Sequence, residues 1–189
     1  MAKKNVGNSE KKGLSGRSYR DPTGLTRQPK KMRGRKVSSQ RWLTRQLNDP
    51  FVAEARSRGF RSRAALKLEQ IDDRYKLLKP GMAIVDLGCA PGGWLQVISM
   101  RTKLGNSSAR LVGIDLLELE AVVDANIFTG DITNSAMLQV VEAAIGGSAD
   151  GVLSDMAADT TGHRATDHLR TTALLESALG FALGVLNEG

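Results

Sequence analysis

The stretch Met82-Ala83-Ile84-Val85-Asp86-Leu87-Gly88-Cys89-Ala90-Pro91-Gly92-Gly93-Trp94 constrains the fold more than any other part of the chain. Residues 82–87 form a short, nearly continuous apolar run, which reads as a strand buried on both faces. Gly88 to Gly93 contain three glycines and a proline and read as a turn. Trp94 to Met100 then read as a helix. Strand, glycine-rich turn and helix in this order belong to an open α/β fold, and the turn is where such folds bind cofactors. Glycines at 88, 92 and 93 permit a ligand to approach the backbone closely. No Lys-Ser/Thr pair follows them, so the turn is not a phosphate-gripping P-loop. The spacing also departs from G-x-G-x-x-G, which disfavours a dinucleotide.

The text on either side supports that architecture. Leu111–Asp115 reads as a second strand, Asn126–Thr129 as a third and Gly151–Asp155 as a fourth. Helices are predicted over Ser135–Ile145 and His168–Leu186. The second of these is long, with Leu, Ala and Phe on one face, and Gly189 stands at its C′ position. Upstream, Ser39 caps a short helix over Gln40–Asn48. Asp49-Pro50 starts another, which ends at Gly59. Ser62 caps a third, from Arg63 to Arg74, and Lys79-Pro80-Gly81 breaks the pattern. Strand and helix alternate after Gly81, so the expected fold is α/β: a Rossmann-like, doubly wound, mostly parallel sheet. Four strands are few for this class, and the chain stops where another strand is expected. The expectation is therefore a chain whose C-terminal strands are missing. Three regions are expected: a basic disordered tail at 1–38, a helical entry segment at 39–80 and an incomplete cofactor-binding core at 81–189.

Charge narrows the function. The chain has 189 residues and a net charge of +7, but residues 1–80 hold 22 Lys/Arg against 7 Asp/Glu, and residues 81–189 hold 5 against 13. A basic front of net +15 on an acidic body of net −8 points to a polyanion partner, nucleic acid above all. Through Arg45 the excess is already +12, with five glycines and few apolar residues, a composition that favours disorder in the free chain. A solubilising tail is the plain alternative. Aromatics are only 4%, so phosphate contact and shape reading are favoured over base stacking. No apolar run approaches the roughly 20 residues of a membrane span. The Met1-Ala2-Lys3-Lys4 start leads into no secretory h-region. Cys89 is the single cysteine, so it forms no internal disulfide; it argues for a reducing compartment, the cytoplasm. A monomer without a membrane partner is expected.

The cofactor turn is surrounded by acid. Asp86, Asp115, Asp131 and Asp155 all fall at or near predicted strand ends, on one edge of a parallel sheet. Any one of them is as readily a turn or helix cap, but four at corresponding positions are harder to dismiss. Together they repel a pyrophosphate and favour a cationic ligand. S-adenosylmethionine, with a sulfonium and an ammonium, fits. Asp115, at the end of the second strand, stands where a carboxylate commonly takes the ribose hydroxyls of an adenosine.

These residues resemble the FtsJ-type ribose 2′-O-methyltransferases that act on bacterial large-subunit ribosomal RNA. The resemblance is carried by Ser39-Gln40-Arg41-Trp42-Leu43, by Gly59-Phe60-Arg61-Ser62-Arg63-Ala64-Ala65-Leu66-Lys67-Leu68 and by the Asp86–Trp94 loop. Asp115-Leu116-Leu117, Gly130-Asp131 and Ser154-Asp155-Met156-Ala157 complete it, and the match covers about Ser39 to Gly189. It implies methyl transfer from S-adenosylmethionine to a ribose 2′-hydroxyl by in-line displacement, on a uridine of the 23S rRNA. It further implies a Lys–Asp–Lys–Glu tetrad. Lys67 matches the first Lys and Asp155 the Asp, and the second Lys and the Glu are expected beyond Gly189. On this resemblance Asp86, Gly88, Gly92, Trp94, Asp115, Asp131 and Asp155 form the cofactor site. Arg61 and Arg63 are assigned to RNA phosphate, with a solvated helix face as the alternative. Ala158 replaces the family's Pro after Ser-Asp-Met-Ala.

On a helical wheel Ala64, Leu68, Ile71 and Tyr75 form an apolar stripe with Lys67 at its edge. There the lysine either snorkels to solvent or pairs with a carboxylate. Paired with Asp155, it orients the ribose and helps tune a neighbouring Lys. His163 and His168 read as a loop residue and a cap rather than metal ligands, and Cys89 as packing. Two other functions remain open. One is a base N-methyltransferase, although Ser154-Asp155-Met156-Ala157 lacks that chemistry's Asn/Asp-Pro-Pro-aromatic pattern. The other is a non-catalytic RNA- or ribosome-binding protein.

Overall fold

The computed structural model describes Thr44 and residues 48–188. The basic tail and most of the helix expected over 40–48 lie outside these residues. Packing divides the chain into two compact units, 1–50 and 51–189. In the first, the Asn48 backbone N–H and Nδ2 both donate to the Thr44 carbonyl, at 3.2 and 2.6 Å. Everything that follows concerns the second.

The apolar run at 82–87 becomes β1 (Ala83–Leu87), buried at every residue. It is buried because it lies inside a parallel sheet with helices on both faces. β2 (Arg110–Asp115) and β3 (Asn126–Thr129) lie on one side of it and β4 (Gly151–Ser154) on the other, in the order β3-β2-β1-β4. The register pairs Leu87 with Ile114 and with Ser154, and Asp115 with Thr129. The chain builds outward through β2 and β3, then returns across β1 to β4. That reversal creates a switch point at the carboxyl edge between β1 and β4, where doubly wound sheets bind ligands.

The period-2 alternation of β1 sends Ala83, Val85 and Leu87 to one face and Ile84 to the other. The first face packs against α4 (Ser135–Ile145) through Val141 and Ile145, and against α5 (Arg164–Val185) through Ala178, Phe181 and Val185. The second packs against α2 (Ala64–Tyr75) through Ala65 and Leu68, and against α3 (Gly93–Thr102) through Leu95, Val97 and Ile98. Each fully buried Val, Leu or Ile among them contributes about 1.5–3 kcal/mol of transfer free energy. A further helix, α1 (Pro50–Ser57), begins at the proline as expected and ends before Gly59, whose φ is +77°. Arg58, just beyond it, pairs with Glu69 of α2 at 2.7 Å. No helix among the described residues is long and apolar enough to cross a membrane.

Several local expectations need correction. The buried face of α2 carries Ala65, Leu66, Leu68 and Asp72, while Tyr75 is exposed and Ala64 and Ile71 are only half-buried. Asp72 turns the helix. Its buried carboxylate accepts the Leu78 N–H at 2.8 Å and lies 3.5 Å from Arg101 Nε, so a charged residue occupies the core position that the wheel gave to apolar ones. Ser62 does not cap α2. Its Oγ points toward Gly93 and is buried without a hydrogen-bond partner, and the Ala65 N–H bonds to the Ser62 carbonyl instead, at 3.2 Å. Helix α5 starts four residues before His168, because Asp167 reaches back to accept the Thr161 N–H and Oγ, both at 2.7 Å. It ends at Val185, with Leu186 extended and bridged to Ala149, rather than at a C′ glycine. Its leucines at 169, 175, 179 and 183 are exposed, and only the Ala and Phe of the expected face reach the core.

Candidate active site

All four strands are parallel, so their carboxyl ends share one edge of the sheet. Asp86 is the penultimate residue of β1, Asp115 ends β2, Asp155 directly follows β4 and Asp131 lies two residues past β3. The four carboxylates expected on one edge are thus on it, but they do different things.

Asp86 is 1% exposed, and its Oδ2 has no hydrogen-bond partner. Burial, reinforced by the negative charges of Asp115 and Asp155, pushes its carboxyl up to about 8. A buried carboxyl oxygen left without a partner is costly, and its negative form would be favoured by a cation beside it. Asp115 is half-buried. Its Oδ2 accepts the Ala90 N–H and its Oδ1 the Leu117 N–H, each at 2.8 Å. One side chain therefore fixes both the glycine turn and the loop after β2. Asp131 is exposed, and its Oδ1 accepts the Thr133 N–H at 2.8 Å. That bond holds its carboxyl below the ordinary value.

Ala90, Pro91, Arg61 and residues 117–120 line a cavity of about 450 Å³ beside Asp115. Gly88 has φ +82°, and a Cβ there would collide with the Met156 side chain. At Gly92, with φ +99°, a Cβ would come within 2.7 Å of Arg61 Nη1 and 3.3 Å of Leu119 Cδ1. The close approach that these glycines permit is thus used by protein neighbours as well as being open to a ligand. Cys89 packs beneath the turn, where burial first and the Asp86 charge second push its thiol up to about 12. The cysteine is therefore packing and not a nucleophile.

A second cavity, of about 350 Å³, is lined by Phe51, Arg63, Ala64, Leu66, Lys67, Gln70 and Asp155. Lys67 Nζ and Asp155 Oδ1 are 2.8 Å apart, which resolves the choice between snorkelling and pairing. Both side chains keep substantial exposure, at 55% and 42%, so the pair is open to a ligand and contributes little stability. Trp94 is half-buried between α2 and α3. Its Nε1 donates to the Ala64 carbonyl at 2.9 Å, and its ring lies 5.6 Å from Lys67 Nζ. The indole thus supports the lysine from below.

Arg61 and Arg63 part company. Arg63 is exposed at the second cavity. Arg61 is folded back, its side chain 22% exposed, with Nη1 and Nη2 donating to the Glu120 and Ala121 carbonyls. Sequence reasoning passed over Gln96. Its Oε1 accepts the Arg61 N–H at 2.8 Å and its Nε2 donates to the Gly59 carbonyl at 3.0 Å. The signal was there: Gln96 is a long amide amid the apolar text of Trp94–Met100. His163 is the N-cap residue of α5, and both histidines are exposed.

Comparison with known proteins agrees with this fold. The family described as FtsJ-like methyltransferase matches residues 60–189. A relative from Maricaulis maris, named ribosomal RNA large subunit methyltransferase E, is 54% identical over 160 residues, which is 85% of this chain and 56% of that protein. A relative of the same name from a Ruegeria species is 48% identical over 194 residues, all of this chain and 79% of that protein. The chain thus spans little more than half the length of the Maricaulis relative. A crystal structure described as a ribosomal RNA methyltransferase from Plasmodium falciparum superposes with a TM-score of 0.61 at 34% identity, covering 69% of this chain and 74% of that one. The sheet is that of a Rossmann-like methyltransferase.

Proposed function

The chain belongs to the FtsJ-like methyltransferase family, and on that premise we propose that the whole protein methylates a ribose 2′-hydroxyl of large-subunit ribosomal RNA, with S-adenosylmethionine as donor. The target read from the resemblance is a uridine of the 23S rRNA, and the protein works as a cytoplasmic monomer. Members of this family are generally dependent on S-adenosylmethionine. The single observation that carries the reading is the buried, unpartnered Oδ2 of Asp86 beneath a glycine turn, with Asp115 and Asp155 as its charged neighbours.

The residues present fit the donor. An acidic site repels a pyrophosphate and attracts a sulfonium and an ammonium. Asp86 supplies a buried carboxyl that keeps its proton in the ligand-free chain and whose ionised form a bound cation would stabilise. Asp115 has one hydrogen bond at each oxygen and lone pairs to spare for ribose hydroxyls, and its two backbone partners, Ala90 and Leu117, both line the larger cavity. Gly88 and Gly92 carry no Cβ, which lets the Met156 and Arg61 side chains close against the turn. When bound, S-adenosylmethionine supplies a methyl group already activated on sulfur.

With the electrophile supplied, the chain's own task is positioning. The Lys67 ammonium and the Asp155 carboxylate present a donor and an acceptor side by side, in the geometry needed to hold a hydroxyl and its neighbour on the sugar. The pair is itself held from two sides, because Trp94 fixes Lys67 and β4 delivers Asp155 next to β1. Arg63, at the rim of the same cavity, is placed to meet RNA phosphate.

The test is calorimetric titration of the folded chain with S-adenosylmethionine, with Asp115→Ala as the control. Binding is expected, weakened at least about tenfold in the control, since a site built to bond hydroxyls loses about 1.4 kcal/mol or more with its acceptor. A folded chain that shows no binding overturns the reading and moves weight to an RNA-binding role without catalysis.

A further inference from the structure

Residues 58–63, between α1 and α2, have no regular structure, yet they are pinned to the cofactor side of the sheet at four points. The Arg61 N–H bonds to Gln96 Oε1 at 2.8 Å, and Gln96 Nε2 returns to the Gly59 carbonyl at 3.0 Å. Arg61 Nη1 donates to the Glu120 carbonyl at 2.7 Å and Nη2 to the Ala121 carbonyl at 2.8 Å. The loop so gripped walls the larger cavity; Asp115 holds its start through the Leu117 N–H at 2.8 Å, and Arg61 holds it three residues further on. Leu116, Leu117 and Val123 are exposed, and Leu119, Val122 and Ala125 lean on the core. The Glu120 carboxylate adds little, being 94% exposed and 4.0 Å away. Room for the guanidinium comes from Gly92, where a Cβ would stand 2.7 Å from Nη1.

We propose that Arg61 is a positioning residue of the methyl-donor pocket: its guanidinium fork, bonded to the Glu120 and Ala121 carbonyls, holds the 117–120 wall of the cavity and ties that wall to the turn leading into Lys67. This rests on the reading of the larger cavity as the donor site. The chemistry suits arginine in particular. Two parallel donors in a rigid plane meet two successive carbonyls, whereas a lysine ammonium is a point charge that cannot span them. A residue whose role is to contact RNA phosphate makes the opposite demand, because lysine serves that role well. The two roles also differ in which ligand notices the loss.

The experiment compares wild type, Arg61→Lys and Arg61→Ala. Donor binding is measured by calorimetry in the absence of RNA, and hydrogen exchange is followed across residues 117–121. The clamp predicts affinity lowered about tenfold in both variants, without rescue by lysine, and faster exchange across the loop. Arg61→Lys keeps the charge and the apolar stem, so it decides the matter if Arg61→Ala fails to fold. Wild-type donor affinity in Arg61→Lys overturns the inference, as does a loss confined to RNA affinity, which assigns a phosphate contact instead. Should wild type bind no donor, the functional reading falls. Exchange then decides the clamp separately: unchanged rates overturn it, and faster rates support Arg61 as the loop's fastener.

Discussion

Asp86 concentrates the tension of the site in one residue. Its folded carboxyl lies at about 8, above the ordinary 3.8, so between these values the folded chain holds a proton that the unfolded chain has lost. Stability therefore declines as pH rises through that window. Asp86→Asn removes the dependence. In thermal melts of ligand-free protein, wild type minus variant is expected to become steadily more unfavourable from pH 5 to pH 8, and a flat difference would refute the assignment. A bound cation reverses the preference, so donor binding is expected to tighten with pH over the same range. Asp115 was legible from its place at a strand end. The orphaned oxygen of Asp86 was not, because nothing in a sequence tells which carboxylate lacks a donor. Arg61 was legible as a cation, but its acceptors within the chain, the Glu120 and Ala121 carbonyls, carry no sequence signature.

At the level of elements, β1, β2, β3 and α4 could be read almost to the residue, because apolar runs and helix boundaries are local signals. The face of α2 could not. Its wheel was set by apolar positions, whereas the centre of the buried face is Asp72, held by the Leu78 N–H and by Arg101. Asp72→Ala leaves that N–H buried and unpaired. The expected cost is about 1–3 kcal/mol in urea denaturation, without loss of donor affinity. The start of α5 escaped for a related reason. Asp167 caps backward from inside the helix, and a capping rule that looks for a side chain before the first turn does not find it.

For the whole molecule, the charge division and the alternation of strand and helix determine the expectations that matter. The acidic edge and the fold agree with them. If the basic front steers the protein to RNA, deleting residues 1–38 is expected to weaken RNA binding and flatten its dependence on salt, while donor binding stays as it was. Filter binding over a salt series measures this, and an unchanged slope would reassign the tail to solubility.

The sheet order also fixes a timetable. Strand β1 meets β2 after a short local excursion, but its partner on the other side is β4, so that Ile84 waits for Gly151. As the polypeptide leaves the ribosome, one flank of the central strand can be sheltered early, while the other stays open until β4 emerges. Asp155 arrives with that late strand. The pair it makes with Lys67 is therefore among the last features of the site to form, and a chain stalled before that point would carry the glycine turn without that pair.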